Sequence, residues 1–426
     1  MRDGGAAPAD VPLEVPAAGA AFADVRDATV DWQPEDGGRL SVVTTAKGPY
    51  AWVTIPAPAG GFDLGRRAVV EADVVNRGAN AVEAQLWVVA DRGWESVGDF
   101  ARLEPGERRT FSCRLRETFP DGTPKLDPAR ITGVRLILVR PMVGATVDVS
   151  GLRAAGAAPP FVRPAGRIET PPVEEGPPAA GRRVRHTLAV DEGTGIHALL
   201  HLPEDWVAGR ERPYPVVVEL PGNIFFVPGC YSPGLPEQCA IGYGMTRGRG
   251  AIWVSAPFVD RAAGTIAENG WGNPDDTADL LRRVVEDVCG RFGGDRRCVV
   301  LTGFSRGAIA CGFIGLRDDR VAALWRGFHC CQHHDGDGWN GATLDGAIAR
   351  GARFRGLSVF HTDNDAAAVR PLTEAMGVPT EFVASGLGAH SVAMFLDDRA
   401  STRRLREWFA DLVSCEWSGG DAAAGR

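Results

Sequence analysis

Cys298-Val299-Val300-Leu301-Thr302-Gly303-Phe304-Ser305-Arg306-Gly307-Ala308-Ile309-Ala310 is the stretch on which the reading of this chain turns. An apolar, β-branched run leads into Gly-x-Ser-x-Gly and then into small helix-forming residues: a buried strand, a sharp turn and a helix start. Glycines at 303 and 307 suit a strained strand-to-helix turn that holds Ser305 in an unusual backbone conformation against close neighbours. The helix N-terminus that follows faces any negative charge developing at the serine. Ser305 is therefore the candidate nucleophile, weighed against a merely structural turn. The flanks keep the same rhythm. Residues 184–190 and 196–202 read as an antiparallel pair, and strand-like runs recur at 214–220, 251–256, 297–303, 323–330, 357–361 and 380–384. Helical patterns lie between and after them, clearest at 276–292 and 397–413, where one face is apolar. Strands alternating with helices predict a mostly parallel sheet with helices on both faces.

In the order Ser305, an Asp at 363–365, and His390 in Ser385-Gly386-Leu387-Gly388-Ala389-His390-Ser391, the region 183–415 resembles the α/β-hydrolase family. It is closer to acetylxylan, feruloyl and polyhydroxybutyrate-depolymerase-type esterases than to lipases. The resemblance implies a Ser–His–acid triad, with His390 as base in the loop after the last strand. For the acid, Val359-Phe360-His361-Thr362-Asp363-Asn364-Asp365 resembles the family's His-Gly-x-x-Asp run, which selects Asp365. Asp363 is the second choice, on the same side of an extended loop, and Asp335, after the sixth strand, is the third. Val216-Val217-Val218-Glu219-Leu220-Pro221-Gly222-Asn223 matches the family's oxyanion-hole strand, with Gly222 shaping the hole. The implied donors are the backbone N–H groups of Arg306 and Asn223. Pro221 stands where many members have His, which leaves the second donor open. Arg306 directly after the nucleophile also occurs in glucuronoyl esterases, whose further motif is missing here; the alternatives are a uronate-ester role and a structural ion pair on the elbow.

His329, His333 and His334 gather with Asp335 and Asp337 around the end of the sixth strand. Adjacent histidines rarely converge on one ion, and no clean ligand spacing is present, so no metal is expected. His333, His334 and Trp339 are instead expected to rim the substrate cleft, with Trp271 opposite.

The first third reads differently. Between 21 and 155, short alternating runs such as Ala51-Trp52-Val53-Thr54-Ile55 and Leu86-Trp87-Val88-Val89 are separated by turns such as Glu104-Pro105-Gly106, with no competing helix. An antiparallel sandwich or jelly roll is predicted. Asp73-Val74-Val75-Asn76, Leu103-Glu104-Pro105-Gly106-Glu107 and Val139-Arg140-Pro141 resemble the carbohydrate-binding-module-like domains of polysaccharide-degrading enzymes. Trp32, Trp52, Trp87 and Trp94 then become sugar-stacking candidates, or, for Trp52 and Trp87, core residues of their strands. Residues 1–20 are Ala/Pro/Gly-rich and expected loose, 156–182 carry seven prolines and read as a linker, and 416–426 form a tail.

The chain has 426 residues, 44% of them hydrophobic and 23% charged, a composition that supports two folded domains and excludes a largely disordered one. A formal net charge of −8, with Lys47 and Lys125 as the two lysines, lacks a nucleic-acid footprint. No apolar run is long enough to insert in a membrane. Among nine cysteines, Cys230 with Cys239, Cys289 with Cys298, and Cys311 with Cys330 or Cys331 are possible disulfides suited to a secreted or periplasmic site. Met1-Arg2-Asp3-Gly4-Gly5 shows no apolar signal stretch, so the chain is cytoplasmic if Met1 is its native start. The expected activity is a cofactor-free serine esterase acting on acetyl, feruloyl or uronoyl esters of a polysaccharide, or on a small ester. The alternatives are a serine peptidase of the prolyl-oligopeptidase kind and a non-catalytic carbohydrate-binding protein; oligomeric state is left open.

Overall fold

The computed structural model describes residues 10–13, 22, 24–34, 38–90 and 95–414. Two compact units emerge: one of Met1–Ala165 with Phe226–Tyr231 and Leu387–Ala389, the other of Gly166–Phe225, Ser232–Gly386 and His390–Arg426. Trp94, Cys415 and the 416–426 tail lie outside the described residues, as does most of the segment expected to be loose.

In the first unit, alternation along the strands makes two antiparallel sheets. One orders Ala28–Gln33, Arg39–Thr44, Thr146–Ala157, Arg67–Asn76 and Arg108–Arg114, with Val11–Pro12 added beside Thr146–Ala157. The other orders Val25–Arg26, Tyr50–Pro56, Ile131–Val139, Val82–Ala90 and Ser96–Leu103. Leu40, Val42, Val53, Ile55, Leu86 and Leu136 belong to the core of this sandwich. Each such side chain gains about 1.5–3 kcal/mol by leaving water.

Because Val53 and Val88 face that core, their neighbours Trp52 and Trp87 face the other side of the sheet. That side is not open to a sugar. Trp87 is 2% exposed and Trp52 6%. Trp87 meets Phe100 and Tyr231 edge-on, each at 5.1 Å, and Phe226 packs on Tyr50 at 4.9 Å and Trp52 at 6.1 Å. Trp87 Nε1 donates to Gln85 Oε1 (2.8 Å), and Gln85 Nε2 donates to the Phe226 carbonyl (3.0 Å). The sugar-stacking expectation fails for these two rings, because the unit's own Phe226 and Tyr231 occupy the face. Trp32 is half-buried against the sandwich core.

The second unit is built on a nine-stranded sheet in the order Val173–Glu174, Arg183–His186, Ala198–His201, Ile252–Ser255, Tyr214–Leu220, Gly294–Phe304, Gly327–Cys331, Ser358–Thr362 and Thr380–Val383. From Ile252–Ser255 onward the strands run parallel, while Ala198–His201 is antiparallel to both its neighbours, so the sheet is mixed. Val216, Val218, Val299 and Leu301 pack with Leu281, Val284 and Val288 of helix Pro274–Phe292. On the alternate register Phe360 lies 5.6 Å from Trp408 of helix Ala400–Ser414, so helices cover both faces. Asn273 caps Pro274–Phe292 by accepting from Asp275 N and Asp276 N, and Gly293 ends it at φ 75°.

Three expectations need correction. The proline-rich stretch is not only a linker: Val173–Glu174 pairs in parallel with Arg183 and Val184, and Ile168 N donates to the Leu396 carbonyl (2.8 Å). The strand expected at 323–330 is Gly327–Cys331, preceded by a short helix Asp319–Ala322 whose cap, Asp318, accepts from Arg320 N and Val321 N. The eight described cysteines are all free thiols, most of them buried as small apolar residues, so the expected disulfides are not formed.

Candidate active site

Strand Gly294–Phe304 passes into helix Arg306–Phe313 through one residue, Ser305, at φ 53° and ψ −117°. Such a conformation costs a non-glycine residue about 1–3 kcal/mol and persists only where surroundings enforce it. Here Ser305 N donates to the Cys331 carbonyl (3.0 Å), while the Ser305 carbonyl accepts from Ala308 N and Ile309 N. The flanking glycines are obligatory. A Cβ at Gly303 would stand 2.3 Å from the Gly307 carbonyl carbon, and one at Gly307 would stand 2.1 Å from the Leu220 oxygen.

His390 lies in the loop between strand Thr380–Val383 and the 3-10 turn Ala393–Leu396. Its ring packs 4.5 Å from Phe304, the residue before Ser305, and meets His333 edge-on at 5.5 Å. Burial, helped by the nearby His333, lowers its pKa to about 4, so the imidazole is a neutral base at pH 7.

The carboxylates differ in what already occupies them, and none has a hydrogen bond to His390 among the described residues. Asp363 accepts from Ser385 N on Oδ1 and from Ser385 Oγ and Gln332 Nε2 on Oδ2. Asp335, 2% exposed, is gripped on both oxygens by Arg350. Asp337 accepts from Trp339 N and bonds His333 Nδ1 at 2.6 Å. Asp365 caps helix Ala366–Met376 by accepting from Ala367 N with Oδ1. Of these four, Asp365 is the one whose second oxygen carries no hydrogen bond among the described residues.

The candidate oxyanion loop follows strand Tyr214–Leu220. A Cβ on Gly222 would approach Phe304 to 3.0 Å, so this glycine lets the loop lie against the elbow. The Asn223 side chain faces its own surroundings: Nδ2 donates to Asn269 Oδ1 (2.9 Å) and the Ile224 carbonyl (3.0 Å), and Oδ1 accepts from Gly270 N (2.8 Å). The Asn223 carbonyl accepts from Ser232 Oγ, and its side chain is not turned to the elbow as an oxyanion donor. The Arg306 side chain is 1% exposed and forms no ion pair among the described residues. Its guanidinium donates to the carbonyls of Ala267 (2.9 Å), Gly270 (2.7 Å), Gly222 (2.8 Å) and Gly234 (3.1 Å), over the Phe258 ring at 4.0 Å. Both readings of this side chain, uronate contact and structural ion pair, give way to a clamp on backbone carbonyls.

The expected cleft residues divide. His333 is partly exposed beside His390. His334 is buried and shares a hydrogen bond with the Asp335 carbonyl. Trp271 is 7% exposed, stacked on Phe313 at 4.6 Å with Trp339 edge-on at 4.9 Å, so it belongs to the core with Trp339 at its margin. His329 does not join the loop histidines. It is sealed within the sheet between Thr302 Oγ1 (2.8 Å) and Thr362 Oγ1 (2.9 Å). The sequence groups His333 with Asp337 in one loop, and the structure joins the two at i, i+4 spacing.

No family model and no curated protein sequence matches the chain. Solved structures resemble it distantly. A fungal esterase from Rhizomucor miehei is 13% identical over 51% of this chain and 79% of its own, with a TM-score of 0.36. A sugar hydrolase from Lactococcus lactis is 10% identical over 55% of this chain and 99% of its own, TM-score 0.36. A family 11 carbohydrate-binding module of a Clostridium thermocellum cellulase is 13% identical over 35% of this chain and 95% of its own, TM-score 0.26.

Proposed function

We propose that the second unit is a serine ester hydrolase working through an acyl-enzyme. The observation that carries this reading is the backbone of Ser305, held at φ 53° by glycines that admit no Cβ, with a neutral imidazole packed against the preceding residue. In the proposed cycle His390 takes the Ser305 proton as Oγ attacks an ester carbonyl. The N–H groups of Arg306 and Asn223 receive the oxyanion, and His390 returns the proton to the departing alcohol. Water, activated by the same imidazole, then releases the acid and restores Ser305. Asp365 is the proposed acid, supported by the order Ser305, Asp365, His390 and by the His361-x-x-x-Asp365 spacing, and its role would be to orient His390 and stabilise its cation. The polymer-ester substrate class rests on the sequence resemblance to polysaccharide-side-chain esterases. It is tested by acid release from acetylated, feruloylated and methyl-glucuronoylated polysaccharides beside a p-nitrophenyl ester, with Ser305→Ala as control. Release from none of the polymers, with the aryl ester cleaved, would restrict the enzyme to small esters.

A further inference from the structure

A buried guanidinium with four carbonyl acceptors and, among the described residues, no carboxylate partner is an unusual use of arginine, since a charge taken out of water ordinarily keeps a counter-ion. Arg306 shows where such a charge is useful. Its backbone N–H is one proposed oxyanion donor, and its side chain holds the carbonyl of Gly222, the residue just before the other. The same fork fastens Gly234, Ala267 and Gly270. Asn223 closes the circuit from its own side, reaching Asn269 and accepting from Gly270 N, and its carbonyl accepts from Ser232 Oγ.

We propose that the Arg306 guanidinium is a positioning group that sets the spacing of the two oxyanion donors by tying the Gly222–Asn223 loop to the nucleophile elbow. The inference rests on the esterase reading above and adds to it a residue acting through the loop, not on the substrate. The fork geometry is essential. Lysine would keep a positive charge but offer one point in place of a planar fork that reaches separate loops. Loosening the loop weakens what the oxyanion feels and leaves planar substrate binding largely alone, so the loss falls on turnover.

The test uses the full chain, an aryl ester, and phenylboronic acid as a tetrahedral probe that carries the oxyanion. Arg306→Met and Arg306→Lys should both lose roughly 10²–10³-fold in kcat, the scale of one lost oxyanion donor, with KM changed by less than about threefold. Boronate affinity should fall in parallel with kcat. Arg306→Gln, a neutral side chain that keeps two N–H donors but cannot span the separate loops, should show the same signature at roughly tenfold or more, and it decides the matter if the Met and Lys variants do not fold. The proposal is overturned if Arg306→Lys retains kcat within threefold of the parent, if KM rises while kcat and boronate affinity hold, or if Arg306→Gln leaves kcat and boronate affinity unchanged. An unsubstituted chain inert to esters and to a fluorophosphonate would overturn the esterase reading itself, and this inference with it. An active, labelled chain with indifferent Arg306 variants would sink only the clamp.

Discussion

The two sheet systems put their backbone strain in different places. In the sandwich unit the non-glycine residues at positive φ among the described residues, Asp27 and Arg140, sit where the chain passes from one sheet to the other. In the second unit, three successive parallel strands each end on one: Ser305 (φ 53°) after Phe304, Gln332 (φ 62°) after Cys331, and Asp363 (φ 57°) after Thr362. The carboxyl ends of parallel strands are where open α/β sheets place ligands. Both units bury polar side chains, Asn76, Gln85 and Asp148 in the sandwich among them. The exposed potential of the sandwich's aromatic face is closed by Phe226 and Tyr231, whereas the second unit keeps Arg306, His329, His361 and Glu219 inside its fold.

Ser305→Ala would sharpen this contrast most. It should lower hydrolysis of an aryl ester by roughly 10³-fold or more with the melting temperature unchanged, because the strained turn would lose only its nucleophile. Activity within tenfold of the parent would break the contrast. Asp365→Asn comes next, with a loss of about 10²–10⁴-fold in kcat from a misoriented imidazole. Asp363→Asn should instead loosen the Ser385 anchor and cost far less; the reverse ranking would move the acid to Asp363. On the other side of the comparison, Trp87→Ala should destabilise the sandwich by about 3–5 kcal/mol and leave polysaccharide retardation in affinity gels unchanged. Loss of polymer binding without loss of stability would make that face a sugar site after all.

Two acid-dependent effects are smaller. His329 and His361 are held neutral by burial, each with a pKa of about 3 against an ordinary 6.5. The unfolded chain binds those protons first, so their contribution to stability is complete above pH 6.5 and declines as pH falls from 6.5 towards 3. Thermal melts should show a falling midpoint across that window, and a flat profile would contradict the burial of these rings. Catalysis should persist lower than an ordinary histidine allows, since His390 stays neutral down to about pH 4. Removing the neighbouring imidazole with His333→Ala should move the acid limb of kcat/KM upward by a fraction of a pH unit.

Much of this was legible in the sequence because it is local. Gly303-x-Ser305-x-Gly307 announces its turn through residues that touch within five positions, and the 276–292 stripe matches a helix running from Pro274 to Phe292. Strand Tyr214–Leu220 appears with the bounds its apolar run suggested. What stayed hidden depends on distant partners. Trp87 could be read as platform or core until Tyr231, far along the chain, was seen against it. Arg306 looks surface-bound in any pattern, and its acceptors are backbone carbonyls from separate loops, which no side-chain motif records. The acid was a choice among neighbours because two residues of one short loop, Asp363 bonded to Ser385 and Asp365 capping the next helix, take their different settings from partners that no local motif records.

The most direct measurement is covalent labelling by a fluorophosphonate at neutral pH, followed by peptide mass mapping. Ser305 should carry one phosphonyl group, at a rate that falls as pH drops through the His390 transition near 4. A chain left unlabelled, or labelled at another residue, would contradict the assignment of Ser305 as nucleophile and the account built on its turn.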